Sequence, residues 1–337
     1  MRIALVAGPW LPVPPPAYGG TENVIHRLAL GFQEAGHEVL LFTTGDSTCP
    51  VPQKWVRERA TPEQIGQSFI EMHHLIHAYD AVADFDIIHD HTVVGPTVAQ
   101  TRKTGRVVTT NHGPFTNELN DIYARAAESA AVIAISHDQA SRAKVPVSAV
   151  IHHGLRPEEF RPGPGDGDYL LFLGRFAPEK GAREAALIAQ LTGMPLLIAA
   201  KMRQPEEVEY FESQVKPLLN SHVQYVGEAS QEEKQRLLGS ARALINPISW
   251  PEPFGLVMIE ALACGTPVLT LSSGAAPEIV EHGVTGFVFD RAEQIAASLE
   301  RIDELDRAAC RRAVEEHFSA ERMVREHLEL FERLLAE

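Results

Sequence analysis

Short apolar runs recur along the chain, and the longer stretches between them carry apolar residues at helical spacing. In the first half the runs are RIALVAG, HEVLLFTT, DIIHDH, GRVVTTNH, AVIAIS and VSAVIHHG, each read as a buried parallel strand. After the first of them Val24, Leu28 and Phe32 fall at i, i+4 and i+8 with Ile25 beside them. That predicts a helix, with Thr21 as its N-cap after Gly19 and Gly20. The alternation breaks at RPEEFRPGPGDGD (residues 156–168), which is dense in Pro, Gly and charge and reads as an interdomain linker and hinge. It resumes with YLLFLGR, PLLIAA, VQYVG, RALINP, TPVLTL and GFVF. A patterned helix carrying Met323, Leu328, Leu330, Phe331, Leu334 and Leu335 follows them. Strand–helix alternation implies parallel sheets covered by helices on both faces. Two such units are expected to leave a crevice at the carboxyl ends of their strands, where ligands collect.

Composition narrows the class. With 337 residues, 45% of them hydrophobic and 22% charged, the chain has enough apolar material for two domain cores. Cys49, Cys264 and Cys310 are odd in number and widely spaced, which fits a reducing compartment better than a disulfide framework. MRIALVAGPW reads as a first strand and not a secretory leader, and no apolar run approaches bilayer length, so a cytoplasmic protein is expected. A net charge of −15 without a basic tract argues against a nucleic-acid partner.

The second half carries the more informative chemistry. A helix can begin only after Pro253, so Gly255, Leu256 and Val257 supply its first, unpaired backbone N–H groups. That end bears about half a positive charge. In LGRFAPEKG, Arg175 and Lys180 sit in the loop leaving a strand, next to Gly174. Two cations plus a helix start form a cradle for a diphosphate. Glu260 lies two helical turns from that start, where it suits hydrogen bonds from a ribose diol. Glu252, before the start, suits the hydroxyls of a sugar on the distal phosphate. The plainer readings make Glu260 an exposed helix residue and Glu252 a loop surface charge. The PPPAYGG loop (residues 14–20) lies at the carboxyl end of the first strand, with Gly19-Gly20 permitting close backbone approach.

These segments, in this order, resemble a known family. Glu252 to Glu260, EPFGLVMIE, is similar to the E-x7-E motif of retaining glycosyltransferases of the GT-B fold, above all the GT4 family (glycosyl transferases group 1). GRFAPEKG resembles that family's donor-phosphate loop, YGGTENVIHRLALGFQEAGHEV its first helix, and TTNHGP its N-domain histidine loop. SSGAAPEIVEHGVTGFVF and FSAERM resemble its closing segments, with Ala275 where a second glycine is frequent and His153-Gly154 where Asn-Gly is common. The resemblance implies an α/β GT-B fold of two Rossmann-like domains, residues 1–158 for the acceptor and 159–319 for the donor, with a helix at 320–337 returning to the first. It further implies that Arg175 and Lys180 bind and stabilise the departing diphosphate. Phe254, Gly255 and Leu256 would offer backbone amides, Glu252 would hold the donor sugar and Glu260 the ribose. Val226, Gly227 and Glu228 would lie near the base. His112 would reach the transferred sugar, and Gly19 and Gly20 would approach the phosphates and acceptor. The implied reaction is metal-independent, cofactor-free front-face transfer of a sugar from a nucleotide-diphosphate donor, with UDP favoured, to the hydroxyl of a small-molecule, saccharide or lipid-linked acceptor.

Rival classes fit less well. His73, His74 and His77, and His89 with His91, make metal ligation conceivable, but His-Glu-x-x-His is missing. AGPWLPVPPP follows the first strand where a dinucleotide-dependent oxidoreductase would have GxGxxG. A GT-B sugar phosphorylase, a nucleotide-sugar epimerase and a nucleotide-sugar binding protein without catalysis share the expected fold and stay open.

Overall fold

The structure is a computed structural model that describes residues 1–17 and 19–337; Tyr18 of the PPPAYGG loop lies outside the described residues. The backbone divides into two compact units, Met1–Gly154 with Ala320–Glu337, and Leu155–Ser319.

The first unit is built on a seven-stranded sheet in the order β3-β2-β1-β4-β5-β6-β7. Its strands are β1 (Arg2–Val6), β2 (Glu38–Thr43), β3 (Gln53–Trp55), β4 (Ile87–Asp90), β5 (Arg106–Thr110), β6 (Ala130–Ala134) and β7 (Ala149–Val150). All pairings are parallel, with Ile3 of β1 opposite both Val39 and Ile87. Ile3, Ala4, Leu5 and Val6 are fully buried, as an apolar run at the centre of a doubly covered sheet requires. The short strand QKW was not foreseen, because a polar edge strand has no apolar run to reveal it. The first helix is Gly20–Glu34 and buries Val24, Ile25, Leu28 and Phe32. It begins before Thr21, which lies in its first turn; the Gly19 carbonyl already accepts from the Asn23 amide at 3.2 Å and side chain at 2.9 Å. The terminal helix Ala320–Ala336 returns to this unit, setting Phe331 5.5 Å from Phe32, ring to ring.

The second unit has a six-stranded parallel sheet, ordered β10-β9-β8-β11-β12-β13. These are β8 (Leu170–Arg175), β9 (Leu196–Lys201), β10 (Val223–Gly227), β11 (Ala243–Asn246), β12 (Val268–Leu271) and β13 (Gly286–Phe289). Strand order reverses between β8 and β11 here and between β1 and β4 in the first unit, and a ligand crevice opens at such switch points. The stretch 156–168 is not a free linker. Gly163, Gly165 and Gly167 donate to the carbonyls of Cys264, Gly239 and Ser240 at 2.8–3.0 Å, and Arg311 donates to Phe160 O at 2.7 Å. The chain passes between units at Gly154/Leu155 instead, since backbone amides of a Pro/Gly segment can be satisfied along a neighbouring surface without leaving any periodic trace.

Candidate functional site

At the switch point of the second unit, β8 delivers Gly174 and Arg175 at its carboxyl end, and a single 3-10 turn, Pro178–Lys180, carries Lys180. Across it, the loop after β11 runs through Trp250, Glu252 and Phe254 into the helix Leu256–Ala263. Gly255 is the N-cap, at φ 95°, without a side-chain cap; that backbone is strained for any residue with a Cβ. The helix start is therefore left without a side-chain cap on its first amides. Phe254 is buried, its ring 6.2 Å from that of Phe318.

Both glutamates of the E-x7-E stretch hold lysines. Glu252 Oε2 pairs with Lys180 Nζ and also accepts from Trp250 Nε1 at 2.8 Å. Lys180 Nζ stands 5.3 Å from the centre of the Trp250 ring. Glu260 Oε1 accepts from Lys234 Nζ at 2.7 Å. The side chains of Glu252 and Glu260 are 15% and 13% exposed, so neither is the surface charge that the plainer reading made it. Arg175 donates to Glu179 at 2.7 Å and lies 3.7 Å from Glu207, with 37% of its side chain open to solvent. Burial alone would raise the Glu207 carboxyl, but amide hydrogen bonds from Arg203 and Gln204 and the charges of Lys201 and Arg175 hold it below the usual range. The loop after β12 braces Glu252 from behind. Gly274, at φ 57°, approaches so closely that a Cβ there would lie 2.2 Å from Glu252 O, and Ala275 N donates to that oxygen at 2.9 Å. Farther along the same strand ends, Val226 is exposed at the end of edge strand β10, followed by Gly227, and Glu228 is paired with Arg203 at 2.8 Å.

Sequence reasoning did not single out Trp250, Lys234, Glu207 or Gly274. Lys234 sits in a polar helix, Gln231–Ser240, and nothing in its local pattern distinguishes it from its solvated neighbours. Trp250, two residues from Glu252, was legible as a ring placed in a loop.

In the first unit the switch point is lined by imidazoles. His89 and Asp90 end β4, His91 follows, and His112 follows β5 in the TTNHGP loop. His91 Nδ1 and His112 Nε2 are 2.9 Å apart, and His112 stacks on His153 at 5.2 Å and 22°. Burial pushes His112 down to about 3, helped by His327. Asp90 accepts from Tyr79 Oη at 2.6 Å and is nevertheless raised to about 6, because it is wholly buried. Gly19 caps the first helix and Gly20 opens it. Glu22, in that first turn, was overlooked: burial lifts its carboxyl to about 7, against its own amide. The signal was an acid two residues after Gly19-Gly20, at the head of an apolar helix. His74 is a core residue whose Nε2 meets Ala7 O at 2.9 Å. His73 and His77 are ring neighbours at 4.9 Å; among the described residues neither they nor His89 and His91 join a third side chain close enough to share an ion. No helix among the described residues is long and apolar enough to cross a membrane.

Two family profiles match, glycosyl transferases group 1 over residues 157–316 and glycosyltransferase family 4 over residues 18–159. A phosphatidyl-myo-inositol mannosyltransferase of Mycolicibacterium smegmatis is 25% identical over 332 residues, 89% of this chain and 84% of that one. A second such mannosyltransferase, from Propionibacterium freudenreichii, is 28% identical over 83% of this chain and 81% of its own. Among solved structures, sucrose-phosphate synthase from Thermosynechococcus elongatus superposes with a TM-score of 0.82 at 22% identity, covering 99% of both chains. Anabaena HepE, crystallised with UDP and glucose, superposes at 0.79 and 18% identity over 98% of this chain and 99% of its own. The two Rossmann-like units are thus those of the GT-B fold.

Proposed function

The chain belongs to the GT4-type, group 1 glycosyltransferases, enzymes with nucleotide-sugar donors, and from that footing we propose that it is a retaining transferase using a UDP-sugar and a hydroxyl acceptor. One observation carries the reading: Arg175, Lys180 and the uncapped helix start at Gly255 converge on one switch point, with Glu252 hydrogen-bonded beside them. In this reading the donor diphosphate lies along Arg175, Lys180 and the amides of Gly255 and Leu256, and the helix end favours its charge. Glu252 takes the sugar's hydroxyls and Glu260 the ribose diol, each retained in place by its lysine. Val226, Gly227 and Glu228 border the base.

Transfer then proceeds on one face of the sugar. The bond from the anomeric carbon to the diphosphate oxygen breaks while the acceptor oxygen bonds to the same carbon. The departing phosphate oxygen takes the acceptor's proton. Arg175 and Lys180 stabilise the charge that builds on the leaving group, so positioning and electrostatics do most of the catalysis and no metal is needed. His112 contacts the transferred sugar. The acceptor is a saccharide, a small polyol or a lipid-linked equivalent. The names of the two relatives put inositol-containing lipid on those proteins, and HepE holds UDP and glucose on this fold. The first supports only the lipid-linked form of the acceptor and the second only the UDP donor.

The test is a panel of UDP-, GDP- and ADP-sugars offered with saccharide and polyol acceptors in EDTA, with the anomeric configuration of the product read by NMR. Retention with a UDP-sugar is expected. An inverted product, activity only with another base, or dependence on added metal would overturn the corresponding part.

A further inference from the structure

Five imidazoles of the first unit form a continuous ladder. His327 of the terminal helix meets His89 at 5.0 Å, His89 meets His91 at 4.1 Å, His91 meets His112 at 5.2 Å, and His112 meets His153 at 5.2 Å, ring centre to ring centre. The hydrogen bonds along it are one-sided. His327 Nδ1 reaches Met323 O at 2.7 Å, His89 Nε2 reaches Thr110 Oγ1 at 2.8 Å, and His91 Nδ1 reaches His112 Nε2 at 2.9 Å. The opposite nitrogens, His327 Nε2, His89 Nδ1 and His91 Nε2, are buried with no partner among the described residues.

This pattern determines where the protons are. A neutral imidazole has one N–H and one lone pair. Met323 O only accepts, so His327 carries its hydrogen on Nδ1 and its dry nitrogen is a lone pair. The same economy applies to His91: a dry lone pair is tolerated in protein interiors more readily than a dry N–H. Its hydrogen therefore sits on Nδ1 and points at His112. His112 Nε2 must then accept, which leaves the hydrogen of His112 on Nδ1.

We propose that His91 is the positioning residue that locks His112 in its Nδ1–H tautomer, so that His112 meets its ligand as a hydrogen-bond donor to an oxygen and not as a base. Protonating His91 would place a second N–H on its dry face, and burial holds both rings neutral, His112 down to about 3. The oxygen that receives this donor is one on the nucleotide sugar; that part rests on the transferase reading above, whereas the tautomer does not.

Two variants and two readouts test it on the full chain. Asparagine at position 91 places an amide N–H close to where Nδ1–H stands; leucine removes it. Side-chain 15N NMR of the wild-type protein at pH 7.5 is expected to show His112 as the Nδ1–H form, with His91→Leu shifting population to Nε2–H and His91→Asn preserving Nδ1–H. With the sugar nucleotide found active, His91→Leu is expected to lower kcat by at least about tenfold while UDP dissociation stays within about twofold, and His91→Asn to restore most of it. An Nε2–H wild type, or a folded His91→Leu with unchanged tautomer and kcat, overturns the proposal. Should His91→Leu fail to fold, the wild-type and His91→Asn spectra still decide it. Absence of any transfer, with the expected tautomer present, refutes the transferase reading and leaves the lock standing.

Discussion

Acidifying the protein from pH 7.5 to 5.5 should destabilise the unit formed by residues 1–154 and 320–337 far more than the other. Five histidines there, His74, His89, His91, His153 and His327, are at most 8% exposed, and burial lowers all five. For His74 and His327 the folded value is about 4. An unfolded histidine titrates near 6.5. The sign follows directly: the unfolded chain binds protons that the folded one refuses, so the stability these rings allow is full above about pH 6.5 and is lost as pH falls toward the folded values. Between pH 7.5 and 5.5 each ring costs about 1.4 kcal/mol, and five together about 7 kcal/mol. Glu22 and Asp90 act the other way. Their folded values are raised to about 7 and about 6, so they take up protons in the folded state and return about 3 kcal/mol over the same range. The net loss from these groups is about 4 kcal/mol, a large share of an ordinary domain's stability, and His112, also lowered to about 3, adds to it in the same direction. In a domain of this size that lowers its melting temperature by about 10 °C. Differential scanning calorimetry at the two pH values should show one transition moving and the other, from Leu155–Ser319, nearly fixed. A shift below about 3 °C in both would refute the argument that these rings are held neutral by burial.

The remaining expectations concern the second unit. Glu252→Gln removes the charge opposite Lys180 while keeping shape, and turnover should fall at least about a hundredfold with UDP affinity changed only a few-fold, measured by steady-state kinetics and calorimetry. Lys180→Ala should weaken both, since it removes a phosphate cation and leaves Glu252 largely buried without its ion pair; unchanged UDP binding would count against the cradle. Gly274→Ala forces a Cβ onto the Glu252 backbone at positive φ, and a loss of about 2–4 kcal/mol in urea unfolding is expected, together with reduced turnover. Lys234→Met should weaken binding of the ribose-containing donor while leaving inorganic diphosphate binding alone, because its hydrogen bond goes to Glu260.

Much of the fold was legible in the sequence because strands and helices announce themselves locally. Apolar runs such as RIALVAG and YLLFLGR fixed twelve of the strands, and Pro253-Phe254-Gly255 located the helix start to within a residue. The positions of Arg175, Lys180, Glu252 and Glu260 relative to their own elements were readable for the same reason. Only the tertiary structure decided what those charges touch. Lys180 and Glu252 are 72 positions apart and Lys234 and Glu260 are 26 apart, and no periodicity couples residues across such distances. The histidine ladder draws on β4, the loops after β5 and β7, and the terminal helix, so it exists only once the sheet order has brought those ends together. The 156–168 stretch shows the reverse limit: its composition permits a linker, but its backbone amides found carbonyls in the second unit. Sequence sets which residues are available at each strand end; hydrogen-bond satisfaction in a buried, low-dielectric site determines which of them become partners.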